Sequence, residues 1–576
     1  MGKQLESRFF KDVTDKPLQE YPRPQLKRDS YMNLNGLWQY AIRPIDVEFD
    51  GKYDGDILVP FSPEAMLSGV GKTVTPDDLL YYNLEFEVED SFISDKTILH
   101  FTAVDYACNV ILNGQGIGSH TGGFYPFDLD ITAAVRPGTN VLQVEVADPS
   151  NQGVGAKGKQ NESPNTIWYT PQSGIWGTVW MESVSVDYIS DLKITTDIDN
   201  DTVTIIPTTT AKDFTIEIYD NGKQIIKTKE TTIKLTDYEL WSPENPKLYD
   251  VIIKTKNDKV ESYFGMRKFG IGVDEHNIKR LFLNNKPYFH NGVLDQGYWS
   301  DGMLTPPTDE ALLYDIKMLK DMGFNMIRKH IKIEPLRWYY YCDKIGMLVW
   351  QDMVNGGNGS YNPFCIAIIP FFNINVNDTK HYKFFGRESL DGRAEYERDL
   401  ERTINLLKNQ TSIAMWVPFN EGWGQFETQK VVDYIKSVDL TRLVNPASGG
   451  NHRDCGDIFD FHHYPNPAMF LSDPGRVNVL GEYGGIGLPL EGHLWFADKN
   501  WGYIKFQSKD EVTKQYVEYA EMLKTLIPRG YSAAVYTQTT DVEGEVNGLM
   551  TYDRKEMKMD VEQVRKVNQE VIGALK

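Results

Sequence analysis

Residues 412–425 read SIAMWVPFNEGWGQ, an apolar run that ends in Asn420-Glu421 with Trp423 just beyond. A buried strand ordinarily closes in a turn of Gly, Asn, Asp or Ser, and no charged residue adjoins this carboxylate. An unpaired buried carboxylate is costly, so its place at the mouth of an apolar strand calls for a use or for a partner elsewhere in the chain.

Working outward, the chain beyond residue 273 alternates strand and helix. From Asp309 to Met322 a helical face carries Leu312, Ile316, Leu319 and Met322, and the strand Phe324-Asn325-Met326-Ile327 follows. Pro335 can open a helix that runs to Gly346 ahead of the strand Met347–Trp350, and Tyr396, Leu400, Ile404 and Leu407 line the helix before the opening segment. Further strands are expected at Leu443–Asn445, Ile458–Phe461, Val477–Leu480 and Ala533–Tyr536. With one near Tyr288-Phe289 they complete eight β/α units, the pattern of a (β/α)8 TIM barrel.

A barrel places its chemistry at the C-terminal strand ends. Those ends carry Asp295-Gln296, Arg328-Lys329-His330, Gln351-Asp352, Asn420-Glu421, Ser448, His462-His463-Tyr464, Glu482-Tyr483 and Gln538-Thr539. Any one of these could merely solvate a rim. Glu421 and Glu482 differ, because each ends a strand apolar enough to be buried on both faces. They belong to the fourth and seventh strands, across the mouth from each other. Two carboxylates facing over a cleft with aromatic walls suit glycosidic bond cleavage, one protonating the leaving oxygen and the other attacking the anomeric carbon. Low polarity beside Trp416 and Trp423 would raise the pKa of Glu421.

Upstream, residues 1–190 read as a jelly-roll β-sandwich: Leu84–Val88 and Leu142–Val146 alternate, and Asn113-Gly114 marks a hairpin. Residues 191–272 read as an immunoglobulin-like sandwich with a turn at Asp220-Asn221-Gly222 and a closing strand through Phe269-Gly270-Ile271; the barrel takes 273–576. The fold class is therefore multidomain, β followed by α/β. A net charge of −21 disfavours nucleic acid and anionic lipid as partners. Four scattered cysteines, Cys108, Cys342, Cys365 and Cys455, suggest neither a zinc site nor a disulfide framework, and no metal or other cofactor is expected. His462-His463 is a poor ligand pair, since neighbours on a strand point to opposite faces. MGKQLESRFF has no apolar segment and no run of 18 apolar residues occurs anywhere, so no membrane association is expected. The chain as written reads as cytoplasmic, or as periplasmic or secreted if a leader was removed.

The strings NGLW (35–38), SGIWGTVW (173–180), LWSPENP (240–246), NMIRKH (325–330), MLVWQDM (347–353), WVPFNEGWGQ (416–425) and VLGEYGG (479–485) resemble glycoside hydrolase family 2. That family includes β-galactosidases, β-glucuronidases and β-mannosidases in a three-domain form. The resemblance implies a retaining exo-β-glycosidase acting on a carbohydrate, with Glu421 as acid/base and Glu482 as nucleophile. It further implies that Asn420 binds the sugar 2-hydroxyl, that Tyr464 hydrogen-bonds the nucleophile, and that Arg328 and His330 belong to the site. Asp295, Gln538 and Trp423 complete the expected substrate-binding set, Trp423 either stacking on the leaving group or roofing the acid.

β-Glucuronidases carry an Asn-x-Lys pair where this chain has Glu545 and Asn547, which favours a neutral sugar, and β-galactoside is preferred by analogy. Another family activity, or a non-catalytic carbohydrate-binding protein, is the alternative. Some relatives send an acidic residue from the N-terminal sandwich into the site, but Asn165–Trp176 holds none; Trp168, Tyr169 and Trp176 are either a stacking platform or core. The insertion from Val354 to Glu388, with Asn355–Gly359 and Phe371-Phe372, either shapes the aglycone side or is a surface loop. A homo-oligomer stays open.

Overall fold

The computed structural model describes residues 5–358, 362, 364, 365, 369, 372 and 374–575. The first four residues, and Gly359 and Phe371 of the expected insertion, lie outside the described residues.

The N-terminal sandwich packs a six-stranded sheet on a four-stranded one. Its central strand Gly138–Ala147 pairs with both Asp78–Val88 and Ala107–Leu112, and its alternation turns Leu142, Val144 and Val146 into a core with Trp38, Phe101 and Met181. Asn113 and Gly114 both adopt positive φ (53° and 79°), the two-residue turn that their sequence demands. The second sandwich faces a three-stranded sheet against a four-stranded one over Ile and Val side chains of Ile205, Ile216, Ile218, Val251 and Ile253.

Phe269–Val273 does not close that second sandwich. It pairs with Lys279–Leu283, and Phe269, Leu281 and Leu283 pack against Met326, Leu348 and Val477. Those three are the first residues of barrel strands or lie next to them, so the small sheet plugs the barrel floor. An apolar barrel interior needs such a plug at the end opposite the site.

The barrel strands are β1 (His290–Asp295), β2 (Met326–Lys329), β3 (Leu348–Asp352), β4 (Ile413–Val417), β5 (Leu443–Val444), β6 (Ile458–His462), β7 (Val477–Gly484) and β8 (Tyr531–Thr537). They pair in parallel in the order 5-4-3-2-1-8-7-6. Asp457 closes the ring between β5 and β6: its N–H donates to Val444 O at 2.9 Å and its carboxylate accepts the Val444 N–H at 2.8 Å. The expected helices stand around this ring. Asp309–Asp321 is capped by Thr308, Leu336–Ile345 opens after Pro335 and ends at Gly346, and Leu390–Leu407 is capped by Ser389. All four cysteines are buried and free. Among the described residues no helix is long and apolar enough to cross a membrane.

Asp343, fully buried in the helix Leu336–Ile345, fixes where β4 starts and ties the barrel to the second sandwich. Its carboxylate accepts the N–H groups of Ser412 (2.6 Å) and Thr411 (3.1 Å) and the hydroxyl of Tyr263 (2.9 Å). Asp343→Ala strands three buried donors at a cost of about 2–4 kcal/mol. Calorimetry is expected to show a melting temperature several degrees lower, with a smaller loss in Asp343→Asn; an unchanged melting temperature would contradict this role.

Candidate active site

Beyond β4 the backbone bends sharply, and Glu421 takes φ +50°, a left-handed conformation that costs a non-glycine residue about 1 kcal/mol. The surroundings hold it there. Glu421 N–H donates to Ser448 O at 2.7 Å, Trp423 N–H donates to Asn420 O at 2.8 Å, and Asn420 forms a backbone bridge with Ser448 beyond β5. Gly449 makes this approach possible: at φ +75°, a Cβ there would lie 2.2 Å from His462 Nδ1. Across the mouth, the β6–β7 register shifts after Phe461 so that His462 pairs with Glu482.

The two carboxylates converge. An oxygen of Glu421, an oxygen of Glu482 and a ring nitrogen of His462 all lie within 4.8 Å of one another. His462 Nδ1 is 2.9 Å from Glu421 Oε1 and 3.6 Å from Glu482 Oε2, and its Nε2 is 2.8 Å from the Ser448 hydroxyl, which donates to the buried Asp460 at 2.6 Å. Arg328, entirely buried, donates from Nη1 to Glu482 Oε1 (3.2 Å), from Nη2 to Asn420 Oδ1 (2.8 Å), and from Nε and Nη2 to the two oxygens of Asp352 (3.0 Å each). Asp352 also meets His330 Nδ1 at 2.7 Å. Tyr464 donates its hydroxyl to Glu482 Oε2 at 2.7 Å, with its ring stacked on Tyr503 at 3.7 Å.

This environment drives the pair apart. Burial raises the Glu421 carboxyl and the charge of Glu482 adds to the rise, against the opposing hydrogen bond from His462. Burial would raise Glu482 too, but His462, Arg328 and the Tyr464 hydroxyl outweigh it and hold that carboxyl below its usual value. Burial opposes charge on His462, yet Glu482, Glu421 and Asp460 raise its pKa above the ordinary value, whereas burial and then Lys159 and Arg328 push that of His330 well below it, so that ring stays neutral. One group can therefore give a proton while its neighbour stays an anion.

Of the residues singled out from the sequence, Glu421, Glu482, Asn420, Arg328, His330 and Tyr464 form one contiguous cluster, and Trp423 joins it with its ring 6.5 Å from that of His330. The side chains of Asp295 and Gln538 make their hydrogen bonds outside this cluster. Asp295 accepts from Lys329 Nζ at 2.7 Å and from Gly297 N–H at 2.9 Å, and Gln538 is bonded to Gln296 and Asn547, both at 2.8 Å. Their hydrogen bonds brace the β1, β2 and β8 loops instead. His462 received no site role from the sequence, although a signal existed: His462 and Tyr464 are two apart on a strand and so share a face. Lys159 and Tyr503 reach the cluster from loops far along the chain, and no local pattern marks them.

Glu421, His462 and Glu482 are the group among the described residues whose donors could meet on one metal ion. The donor set fits poorly. Arg328 and Tyr464 already occupy Glu482, and the carboxylates around His462 favour a proton on the ring where a metal needs a lone pair.

Residues 74–182 match the family described as glycosyl hydrolase 2 galactose-binding domain-like, residues 187–267 match glycosyl hydrolases family 2, and residues 275–470 match the TIM barrel domain of glycosyl hydrolases family 2. A β-galactosidase of Halalkalibacterium halodurans is 26% identical over 587 residues, covering 91% of this chain and 55% of the relative. A β-galactosidase of Thermoanaerobacter pseudethanolicus is 25% identical over 354 residues, covering 56% of this chain and 46% of the relative. The chain thus spans about half the length of these curated relatives. Among solved structures, the β-D-glucuronidase of Dictyoglomus thermophilum superposes with a TM-score of 0.75 at 17% identity over 96% of this chain and 98% of that one, which establishes a shared fold.

Arg328→Met would leave Glu482 and Asp352 buried without their cation, a loss of about 3–5 kcal/mol near neutral pH. The Glu482 carboxyl is depressed in the folded protein, so the stability it contributes is present above its unfolded pKa and is lost as pH falls through the folded value. The gap in melting temperature between variant and wild type is therefore expected to be widest at pH 7–8 and to narrow on acidification; a gap constant with pH would contradict the ionised pairing.

Proposed function

The chain belongs to glycoside hydrolase family 2, and from that membership we propose that it is a retaining exo-β-glycosidase that removes terminal neutral sugars, with β-galactosides as its substrates. The carrying observation is the pair Glu421 and Glu482, with oxygens inside 4.8 Å and pKa values driven in opposite directions. Inverting hydrolysis places its carboxyls about 6.5–9.5 Å apart to admit a water, whereas double displacement uses about 5–5.5 Å.

In this reading Glu482, kept ionised by Arg328 and Tyr464, attacks the anomeric carbon while Glu421 delivers its proton to the departing oxygen. Esterification removes the charge of Glu482, which had been raising the Glu421 pKa. Glu421 then takes a proton from water as that water opens the ester. Asn420, oriented by Arg328, is placed to meet the 2-hydroxyl.

The β-galactosidases among the relatives support the choice of sugar. The placement of Glu545 also supports it: this buried carboxylate is engaged by the Tyr169 hydroxyl and by Asn547 Nδ2 (3.4 Å), and a uronate brought beside it would meet a like charge. The net charge and the carbohydrate site offer nothing to nucleic acid.

A panel of aryl β-glycosides tests the roles. Glu482→Ala is expected to lose about a thousandfold or more in kcat, with azide restoring turnover as a glycosyl azide of inverted configuration; full activity in this variant would eliminate Glu482 as the nucleophile. Glu421→Ala should keep most activity on glycosides with acidic leaving groups and least on poor ones, and a uniform loss would count against an acid role.

The pH profile of kcat/KM offers a second test. Its acid limb is assigned to Glu482 and its alkaline limb to Glu421. Tyr464→Phe removes a hydrogen bond that depresses Glu482, so the acid limb should move to higher pH, and kcat should fall about 10- to 100-fold. An acid limb that stays in place would detach Tyr464 from the titration.

A further inference from the structure

Five described lysines are buried: Lys157, Lys159, Lys329, Lys332 and Lys558. Four of them give their ammonium to at least two acceptors, such as Asn151 O and Gly357 O for Lys157, or Asp541 and Val546 O for Lys558. Lys159 has neither a carboxylate within 4.0 Å nor a hydrogen-bond acceptor among the described residues, although it is only 6% exposed. Burying an ammonium without an acceptor is costly.

The backbone keeps Lys159 where it is. It leaves the N-terminal sandwich in a strap closed by Tyr169 N–H donating to Lys159 O (3.0 Å) and Asn161 N–H donating to Tyr169 O (2.9 Å). Its Nζ lies 5.6 Å from the centre of the Tyr169 ring and 5.8 Å from that of Trp423, the indole that borders His330. The ammonium therefore stands at the wall of the sugar pocket, close enough for its charge to bear on His330 and Glu421.

His330 supplies the complementary group. Its Nδ1 faces Asp352, which Arg328 grips with two hydrogen bonds, so Nδ1 carries the ring proton. On this neutral ring Nε2 keeps a lone pair, and no described residue donates to it. A donor and an acceptor, each without a hydrogen-bond partner among the described residues, thus both border Trp423.

We propose that Lys159 and His330 together read one hydroxyl of the terminal sugar, the ammonium donating to the hydroxyl oxygen and the hydroxyl proton going to Nε2 of His330. A hydroxyl both accepts and donates, whereas a carboxylate only accepts and would face the lone pair of Nε2. The pair accordingly selects a neutral hydroxylated ring and rejects an analogue lacking that hydroxyl, because both buried groups would then be left unpaired. This inference rests on the glycosidase reading and adds a specificity determinant from a second domain.

The test is kcat/KM on an aryl β-galactoside and its 3-, 4- and 6-deoxy analogues, for the wild type, Lys159→Met and Lys159→Gln. In the wild type one deoxy position should cost about a hundredfold or more. Lys159→Met should lose about as much on the parent and show less than about a fivefold further penalty at that position, with the other penalties unchanged. Lys159→Gln, which keeps a donor, should recover part of the coupling, and melting temperatures establish that both variants are folded. Equal penalties at every position in all three proteins would overturn the pair, as would a wild-type preference for the matching β-uronide that Lys159→Met abolishes. If the wild type cleaves nothing on the panel, the glycosidase reading fails; calorimetric binding of galactose and its deoxy analogues then reads the same coupling, and absence of binding overturns the pair.

Discussion

The guanidinium of Arg328 is the interaction on which the rest of the site depends. Two largely buried carboxyl groups within 4.8 Å would ordinarily share one proton, with no fixed choice of which keeps it. Arg328 breaks that symmetry. It rises from β2, reaches Glu482 on β7 and Asn420 after β4, and leaves Glu421 to the influence of burial and His462. Its own burial is tolerable because Asp352 on β3 takes two of its hydrogen bonds, and Asp352 in turn sets the tautomer of His330. One cation thereby orders three strand ends, and the difference between the two carboxyls follows from its position.

Much of this could be read from the sequence because barrels encode their sites simply. Apolar strands buried on both faces, each ending in a polar residue, gave eight candidate positions, and the two carboxylates on β4 and β7 stood out by chemistry alone. Helix starts at Thr308, Pro335 and Ser389 obey local rules that need no tertiary context. Local rules failed where partners are chosen at a distance. Phe269–Val273 alternates well enough to belong to either neighbouring domain, and its pairing is settled by the need to cover the barrel floor. Asp295 sits at a strand end like Arg328, Asn420 and Glu482, but its carboxylate pairs with Lys329, a contact that spacing along the chain does not reveal. Lys159 lies more than 250 residues before Glu421 in the sequence, and nothing in its flanking residues distinguishes it from a surface lysine.

The participation of Lys159 changes what the N-terminal sandwich is for. A domain that only stabilised the barrel would meet it through apolar packing, and part of the contact is of that kind: Phe124, Tyr169 and Trp176 share a core with Ile331, Ile333 and Trp423. The remainder is polar and directed at the loops of the site. Tyr169 donates its hydroxyl to Glu545, Thr170 N–H donates to Glu543 at 2.9 Å, and the N–H groups of Lys157 and Gly158 both donate to Asn355 O, at 2.8 and 3.0 Å. Burial pushes the Glu543 carboxyl up to about 7, so this seam holds an acid that water barely reaches. Such contacts specify position more than they add stability. Within this site 13% of the Glu421 side chain and 8% of the Glu482 side chain stay exposed. The more exposed of the two is the group assigned to meet the departing oxygen, which must leave toward solvent, while the nucleophile, gripped by Arg328 and Tyr464, lies deeper.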